Sequence, residues 1–304
     1  MLYNKLSVNC LINLIRTMKH LCILILTFAI SFHSNAQILW QITGNDLKEP
    51  SYILGTHHYY DGMLTDSIPG YKFAFENVKQ VYGEIAFKDL ISPSADDISL
   101  MRSYMAMPAG QKQSDLYSSR QIKTLNKKLS NILGTTIERL DALKPMTVAT
   151  NIQNTILSQS ISTPQVPIDL FILTSAHKHS KGNFGLETLE FQLETLYGAS
   201  LKEQANDLIK LLNDKQLVKK TQSLSDAYKA QDLRKIWKLF KRDLTKKEYE
   251  RVVKQRNFNW MPTIKSAINT QSTMFVVGAG HLPGRYGLIN MLRLSGYVVE
   301  PVLK

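Results

Sequence analysis

The chain has 304 residues, 44% of them hydrophobic and 20% charged, ordinary globular proportions for one large domain or two small ones. Its net charge of +12 would suit a nucleic acid or an anionic membrane. The basic residues instead scatter over predicted helices, as at Lys219-Lys220, Lys241-Arg242 and Lys246-Lys247. With no aromatic-interleaved basic stripe, they read as solvated helix faces, which argues against a nucleic-acid partner.

Met18-Lys19-His20 precedes an apolar run from Leu21 to Phe32, and Ser34-Asn35-Ala36 supplies small residues at the −3 and −1 positions. These are the n-region, h-region and cleavage site of a secretory signal peptide. The run is shorter than the roughly 20 apolar residues that a membrane span requires. Residues 1–36 are therefore expected to be removed, with Met18 an alternative start, and the mature chain to be exported to the periplasm or medium of a bacterial cell without a transmembrane span. Cys10 and Cys22 leave with that segment, so the mature chain has no thiol, disulfide or Cys-ligated metal. Lys5, Arg16 and Lys19 leave too, with no acid, which lowers the net charge from +12 to +9. The histidines that remain are His57, His58, His177, His179 and His281.

Ile38 to Ile42 and Ser51 to Leu54 read as strands joined by the turn residues Thr43-Gly44-Asn45-Asp46. Pro69 to Asn77 fits a short helix, and Gln80 to Phe87 a buried strand with Glu84 inside it. The middle reads as helices, with apolar stripes at Ile122, Leu125, Leu129, Ile132 and Leu133, at Leu186, Leu189, Leu193 and Leu196, and at Leu233, Ile236, Trp237 and Phe240. Pro145, Pro164, Pro167 and Pro262 mark helix starts and breaks, and Gly182-Asn183-Phe184-Gly185 fits a short strand. Met274 to Val277 reads as a strand, Tyr286 to Leu294 as a helix stopped by Gly296, and Tyr297 to Val299 as a final strand. The expectation is a single α/β domain over residues 37–304. Its central mixed sheet would be built from amino- and carboxyl-terminal segments as two half-sheets, separated in sequence by a helical insertion over about 94–270.

Two Gly-x-x-His turns follow strand-like runs, Gly55-Thr56-His57-His58 and Gly278-Ala279-Gly280-His281. With 15 glycines and 7 histidines in 304 positions, about 0.35 such matches are expected by chance. Glycine there allows a sharp turn or close approach to a partner. Either histidine alone reads as a cap or a satisfied local group; the pair reads as one site. Glu84 is the third element, because a carboxylate in apolar surroundings is costly to bury unless it is paired or coordinated. Two histidines and a carboxylate can hold a divalent cation with open positions for water and substrate. Without metal, the same trio can serve as general base and orienting acid for a water molecule. His177 and His179 read as solvated. No Gly-x-Ser-x-Gly elbow is present for a serine nucleophile.

Leu39-Trp40-Gln41-Ile42 through Tyr52-Ile53-Leu54-Gly55-Thr56-His57-His58 resembles the opening of TraB/GumN family proteins. Leu186-Glu187-Thr188 with Gln192 resembles a further signature of that family. Phe275 to Gly284, with Gly287-Leu288 and Gly296-Tyr297-Val298-Val299, resembles its ending. The resemblance covers residues 37–304 and implies a superfamily that includes the TIKI metalloproteases and erythromycin-esterase-like hydrolases. It maps the family's two histidines and glutamate onto His58, His281 and Glu84. It also points to Arg256-Asn257 as a supporting pair, with Glu187, and leaves His57 at a variable position.

The expectation is thus an exported, metalloprotease-like hydrolase acting on a peptide or small ester. Zn, Mn or Co would be held by His58, Glu84 and His281. Metal-free ester or lactone hydrolysis is the first alternative. A non-enzymatic binder of haem or peptide, with Tyr59, Tyr60 and His58 as iron ligands, is the second.

Overall fold

A computed structural model describes residues 37–58, 60–159 and 166–303. The expected signal peptide, both cysteines, Tyr59 and Pro164 lie outside the described residues. β1 (Leu39–Thr43) and β2 (Ser51–Thr56) pair antiparallel, with Leu39 opposite Leu54. The turn between them holds Asn45 and Asp46 at positive φ, which Asn and Asp tolerate better than other non-glycine residues.

α1 (Tyr71–Asn77) leads into β3 (Gln80–Gly83). The chain then runs through α2 (Phe87–Ile91), α3 (Ala95–Met105), α4 (Ser119–Leu133), α5 (Pro145–Gln159) and α6 (Ile168–Lys178). β4 (Gly182–Gly185) follows, then α7 (Leu189–Tyr197), α8 (Leu201–Asn213) and α9 (Leu217–Lys229). α10 (Leu233–Arg242), α11 (Lys246–Tyr249) and α12 (Arg256–Thr270) complete the helical middle. β5 (Thr273–Gly278), α13 (Leu288–Leu294) and β6 (Val298–Pro301) close the chain. Capping boxes start α4 at Ser118/Gln121 and α8 at Ser200/Glu203, each satisfying two otherwise orphaned backbone groups.

The described residues form a six-stranded mixed sheet in the order β4-β3-β5-β2-β1-β6, so the α/β reading holds. The expected pair of half-sheets does not. β5 lies between β3 and β2, parallel to both, while β6 joins the far edge antiparallel to β1. β4, from the helical middle, extends the sheet beside β3. β2 and β5 are buried at every position, as expected of parallel strands covered on both faces. Ile172 and Leu173 of α6 and Ile264 and Ile268 of α12 share their hydrophobic core. A second cluster joins α4, α5 and α8 through Leu125, Leu129, Ile152 and Leu208.

Three local expectations change. β3 ends at Gly83, so Glu84 lies just beyond the strand. Its carbonyl accepts from the N–H groups of Leu186 and Glu187 at 3.1 and 2.9 Å, which closes a turn where sheet pairing would otherwise continue. Pro262 sits inside α12 rather than ending it; the carbonyl it leaves without a helical donor belongs to Phe258, whose side chain is exposed. Leu196, assigned to a core stripe, is 39% exposed, because its turn of α7 faces a cleft. Among the described residues no helix is long and apolar enough to cross a membrane.

Candidate functional site

β2, β3, β4 and β5 run parallel, so their carboxyl ends lie on one side of the sheet, where open α/β folds place their chemistry. Each delivers one polar residue there. His58 follows β2, Glu84 follows β3, Glu187 follows β4, and a short 3-10 turn (Ala279–His281) after β5 carries His281. Gly55 permits the two histidine turns to touch: a Cβ there would lie 3.0 Å from the Cα of Ala279.

His58 has a half-exposed ring, and its Nδ1 lies 3.0 Å from Oδ2 of Asp169. The other oxygen of Asp169 accepts from the Thr56 hydroxyl at 2.6 Å. An ionised carboxylate only accepts, so Nδ1 carries a proton and Nε2 is left for the cleft. The Asp169 charge outweighs the effect of burial and raises the His58 pKa to about 9. The ring is therefore cationic at neutral pH. Its Nε2 lies 3.9 Å from Oε1 of Glu84.

Glu84 Oε1 accepts from the Gly278 N–H at 2.8 Å, and Oε2 accepts from Arg256 Nη2 at 2.6 Å and Gln192 Nε2 at 3.2 Å. Burial pushes this carboxyl up, but Arg256, His58, His281 and the Gly278 N–H together hold it well below the usual range. Arg256, only 4% exposed, lies between two carboxylates. Its Nε donates to both oxygens of Glu187 at 3.2 and 3.1 Å, and its Nη2 reaches Glu187 Oε1 at 2.6 Å. Trp260 Nε1 donates to the other Glu187 oxygen at 2.8 Å. Burial raises the Glu187 carboxyl, and Arg256 pulls it back.

His281 is the best-determined ring. Asn257 Nδ2 donates to the carbonyls of His281 and Tyr286 at 3.0 and 2.7 Å. Its Oδ1 thus faces Nδ1 of His281 at 2.7 Å and accepts that proton. The Nε2 lone pair then accepts from Arg256 Nη1 at 3.1 Å, since a guanidinium only donates. Burial, with the Arg256 charge added, lowers the His281 pKa to about 3, so the ring is neutral. A π-helical segment from Glu250 to Gln255 precedes these residues. Such segments change the helical register, and here the consecutive residues Arg256 and Asn257 both turn inward, 4% and 0% exposed.

The three residues singled out in the sequence meet at Gly278. A Cβ built on that glycine would lie 3.3 Å from His58 Nε2, 3.3 Å from Glu84 Oε1 and 3.6 Å from His281 Cδ2. His58 and Glu84 therefore present a nitrogen and an oxygen to one small space, whereas His281 presents a carbon edge. Of the expected three metal ligands, Glu84 Oε1 lies 3.9 and 4.0 Å from Nε2 of His58 and His281, but the His281 lone pair is directed at Arg256, itself a cation. Among the described residues no group of three His, Cys, Asp or Glu side chains forms a metal cage.

Of the supporting residues, Arg256, Asn257 and Glu187 all join the network. His57 packs against Tyr60 and Tyr228, with ring centroids 5.5 and 5.6 Å apart. The Tyr60 hydroxyl donates to the buried Ser225 carbonyl at 3.0 Å. His177 and His179 are exposed. Asp169 was missed, although it is a lone acid in the apolar run Ile168 to Leu173, the same signal that marked Glu84. His58, Glu84, Asp169, Gln192 and Arg256 all line one cleft of about 480 Å³.

In comparison with known proteins, the model of the TraB/PrgY/gumN family matches residues 38–301. No curated protein and no solved structure gives a significant match.

Proposed function

From the premise that this chain belongs to the TraB/PrgY/gumN family, we propose that it is an exported hydrolase that activates water between His58 and Glu84 without needing a metal ion. A peptide bond is the first target and an ester or lactone the second. The observation that carries this reading is the 3.9 Å separation of His58 Nε2 and Glu84 Oε1, with no side chain on Gly278 to fill the space that they face. A water there reaches a carboxylate acceptor and a cationic donor at once. Export rests on the signal-peptide pattern of residues 18–36.

Glu84 takes a proton from the water as its oxygen bonds to the substrate carbonyl carbon, and the carbonyl π electrons move onto oxygen. The positive charges of His58 and Arg256 beside the cleft favour that developing anion. As the intermediate collapses, the bond to the leaving nitrogen or oxygen breaks and His58 Nε2 gives its proton to that atom. The proton on Glu84 then passes to His58, a downhill step because His58 is the far stronger base of the two. Water and substrate are converted to an acid plus an amine or alcohol, and the site is restored.

The test is turnover of peptide and ester substrates by chelator-treated wild-type protein, His58→Ala and Glu84→Gln. General acid–base groups contribute about 10²–10⁴-fold, so each variant is expected to lose that much. Activity equal to wild type in both variants overturns the reading. Activity that disappears on chelation and returns with Zn, Mn or Co restores the metal-dependent alternative. One feature favours that alternative: a histidine oriented by a carboxylate, as His58 is by Asp169, is the arrangement common at metal sites.

A further inference from the structure

The walls of the cleft differ from its floor. The ionisable side chains on the floor are two cations, His58 and Arg256, and two carboxylates, Glu84 and Asp169, and each cation is already bonded to a carboxylate. A charged group entering the cleft therefore finds no unpaired opposite charge. Beside the uncharged polar Thr150, Gln153 and Gln192, the walls carry Ile85, Leu90 of α2, Met146 of α5, Leu173 of α6, and Leu196 and Tyr197 of α7. Leu90 and Leu196 are 43% and 39% exposed, although nothing in their own helices requires an apolar residue in water. Four helices thus converge large apolar side chains on one opening that leads to the reacting pair. Its volume of about 480 Å³ falls within the range of small-molecule sites, about 300–1,000 Å³.

We propose that this wall is a substrate subsite for an uncharged aliphatic group next to the scissile carbonyl. An aliphatic acyl chain and a leucine-like peptide side chain share that chemistry. The inference rests on the hydrolase reading and names its substrate class. A charged group would have to shed water here without gaining a partner, whereas each methylene buried raises affinity about fourfold. The preference is therefore for longer aliphatic groups until the cleft is filled, and against acidic or basic ones.

The experiment reads binding apart from turnover. Acetamide, butanamide, octanamide, N-acetylglycinamide and N-acetylleucinamide are titrated calorimetrically into the full chain, wild type, Leu90→Asp and Leu196→Asp. Both substituted positions are partly exposed, and equal thermal midpoints verify that the variants fold. Affinity is expected to rise about fourfold per methylene in wild type and to flatten in both variants. Tighter binding of octanamide than of N-acetylleucinamide identifies an acyl chain, the reverse a peptide side chain, and either upholds the subsite. Equal affinity for acetamide and octanamide overturns it, as does a slope unchanged in both variants. A clear slope with no ester or peptide turnover would sink the hydrolase reading alone. Turnover with no slope would sink the subsite alone.

Discussion

The guanidinium of Arg256 donates through Nη1 to Nε2 of His281 at 3.1 Å, so the histidine's lone pair is committed inside the protein. The same guanidinium holds Glu84 and Glu187. Arg256 thus supplies the positive charge that buried carboxylates require, and it does so from a fixed position.

Removing that charge should be costly. Arg256→Met leaves Glu187 buried without a counter-ion and Glu84 with only His58, at 3.9 Å, to balance it, and is expected to cost about 3–5 kcal/mol, the range for a broken buried pair. Urea denaturation at pH 7 measures it. Adding Glu84→Gln and Glu187→Gln should return most of the loss. A triple variant no more stable than Arg256→Met would show that packing, not charge, sets the cost.

Gly278→Ala tests the shared space directly. The backbone at φ −53° accepts alanine, but the new methyl would occupy the position 3.3 Å from both His58 Nε2 and Glu84 Oε1. Hydrolysis should fall by about 10²-fold or more, as for a displaced reacting group, with the far-ultraviolet circular dichroism unchanged. Near-normal kcat/KM would place the reacting water elsewhere.

The pH profile follows from Asp169. His58 must be protonated to serve as the acid, and its pKa is raised from 6.5 to about 9. The basic limb of kcat/KM should therefore fall as pH rises through about 9. In Asp169→Asn the carboxylate charge is gone, and that limb should move down toward 6.5, the ordinary value. A limb that stays in place would assign the titration to another group.

Stability should vary with pH in a defined direction. His57 and His281 have pKa values lowered from 6.5 to about 4 and about 3, so below pH 6.5 the unfolded chain binds protons that the folded chain does not. Stability should fall as pH drops from 6.5 toward 3. Glu84, also held low, adds to the loss below its ordinary value of 4.5. His58 acts oppositely, because its contribution is complete below 6.5 and is lost as pH rises through about 9. Thermal midpoints should therefore peak near pH 6.5, and His281→Gln should flatten the acid limb. A midpoint that climbs steadily on acidification would contradict these shifts.

The residues most readable from the sequence were those whose chemistry conflicts with their surroundings. Two histidines after apolar runs and a carboxylate among valine and tyrosine stood out because burying such groups needs a reason. Asp169 fits the same rule but sits in the first turn of α6, where an acid has an ordinary capping role, and this concealed it. The inward turn of Arg256 and Asn257 depends on a π-helical segment that no apolar periodicity announces. The strand positions were legible from local pattern. Their order was not, because insertion of β5 between β2 and β3 is decided by contacts distant in sequence.

That central place of β5 affects when the candidate site can assemble. β1 with β2, and β3 with β4, form two strand pairs that have no common neighbour until Thr273 to Gly278 joins them. A growing chain, made from its amino terminus, therefore carries His58 on one strand pair and Glu84 with Glu187 on the other until β5 emerges. Pairings between such distant segments also form late in folding. The proposed site stays unassembled while the chain is being made, and the sheet that builds it is closed by one of the last strands to emerge. A nascent chain arrested before β5 would therefore be silent toward substrate and still loosely folded.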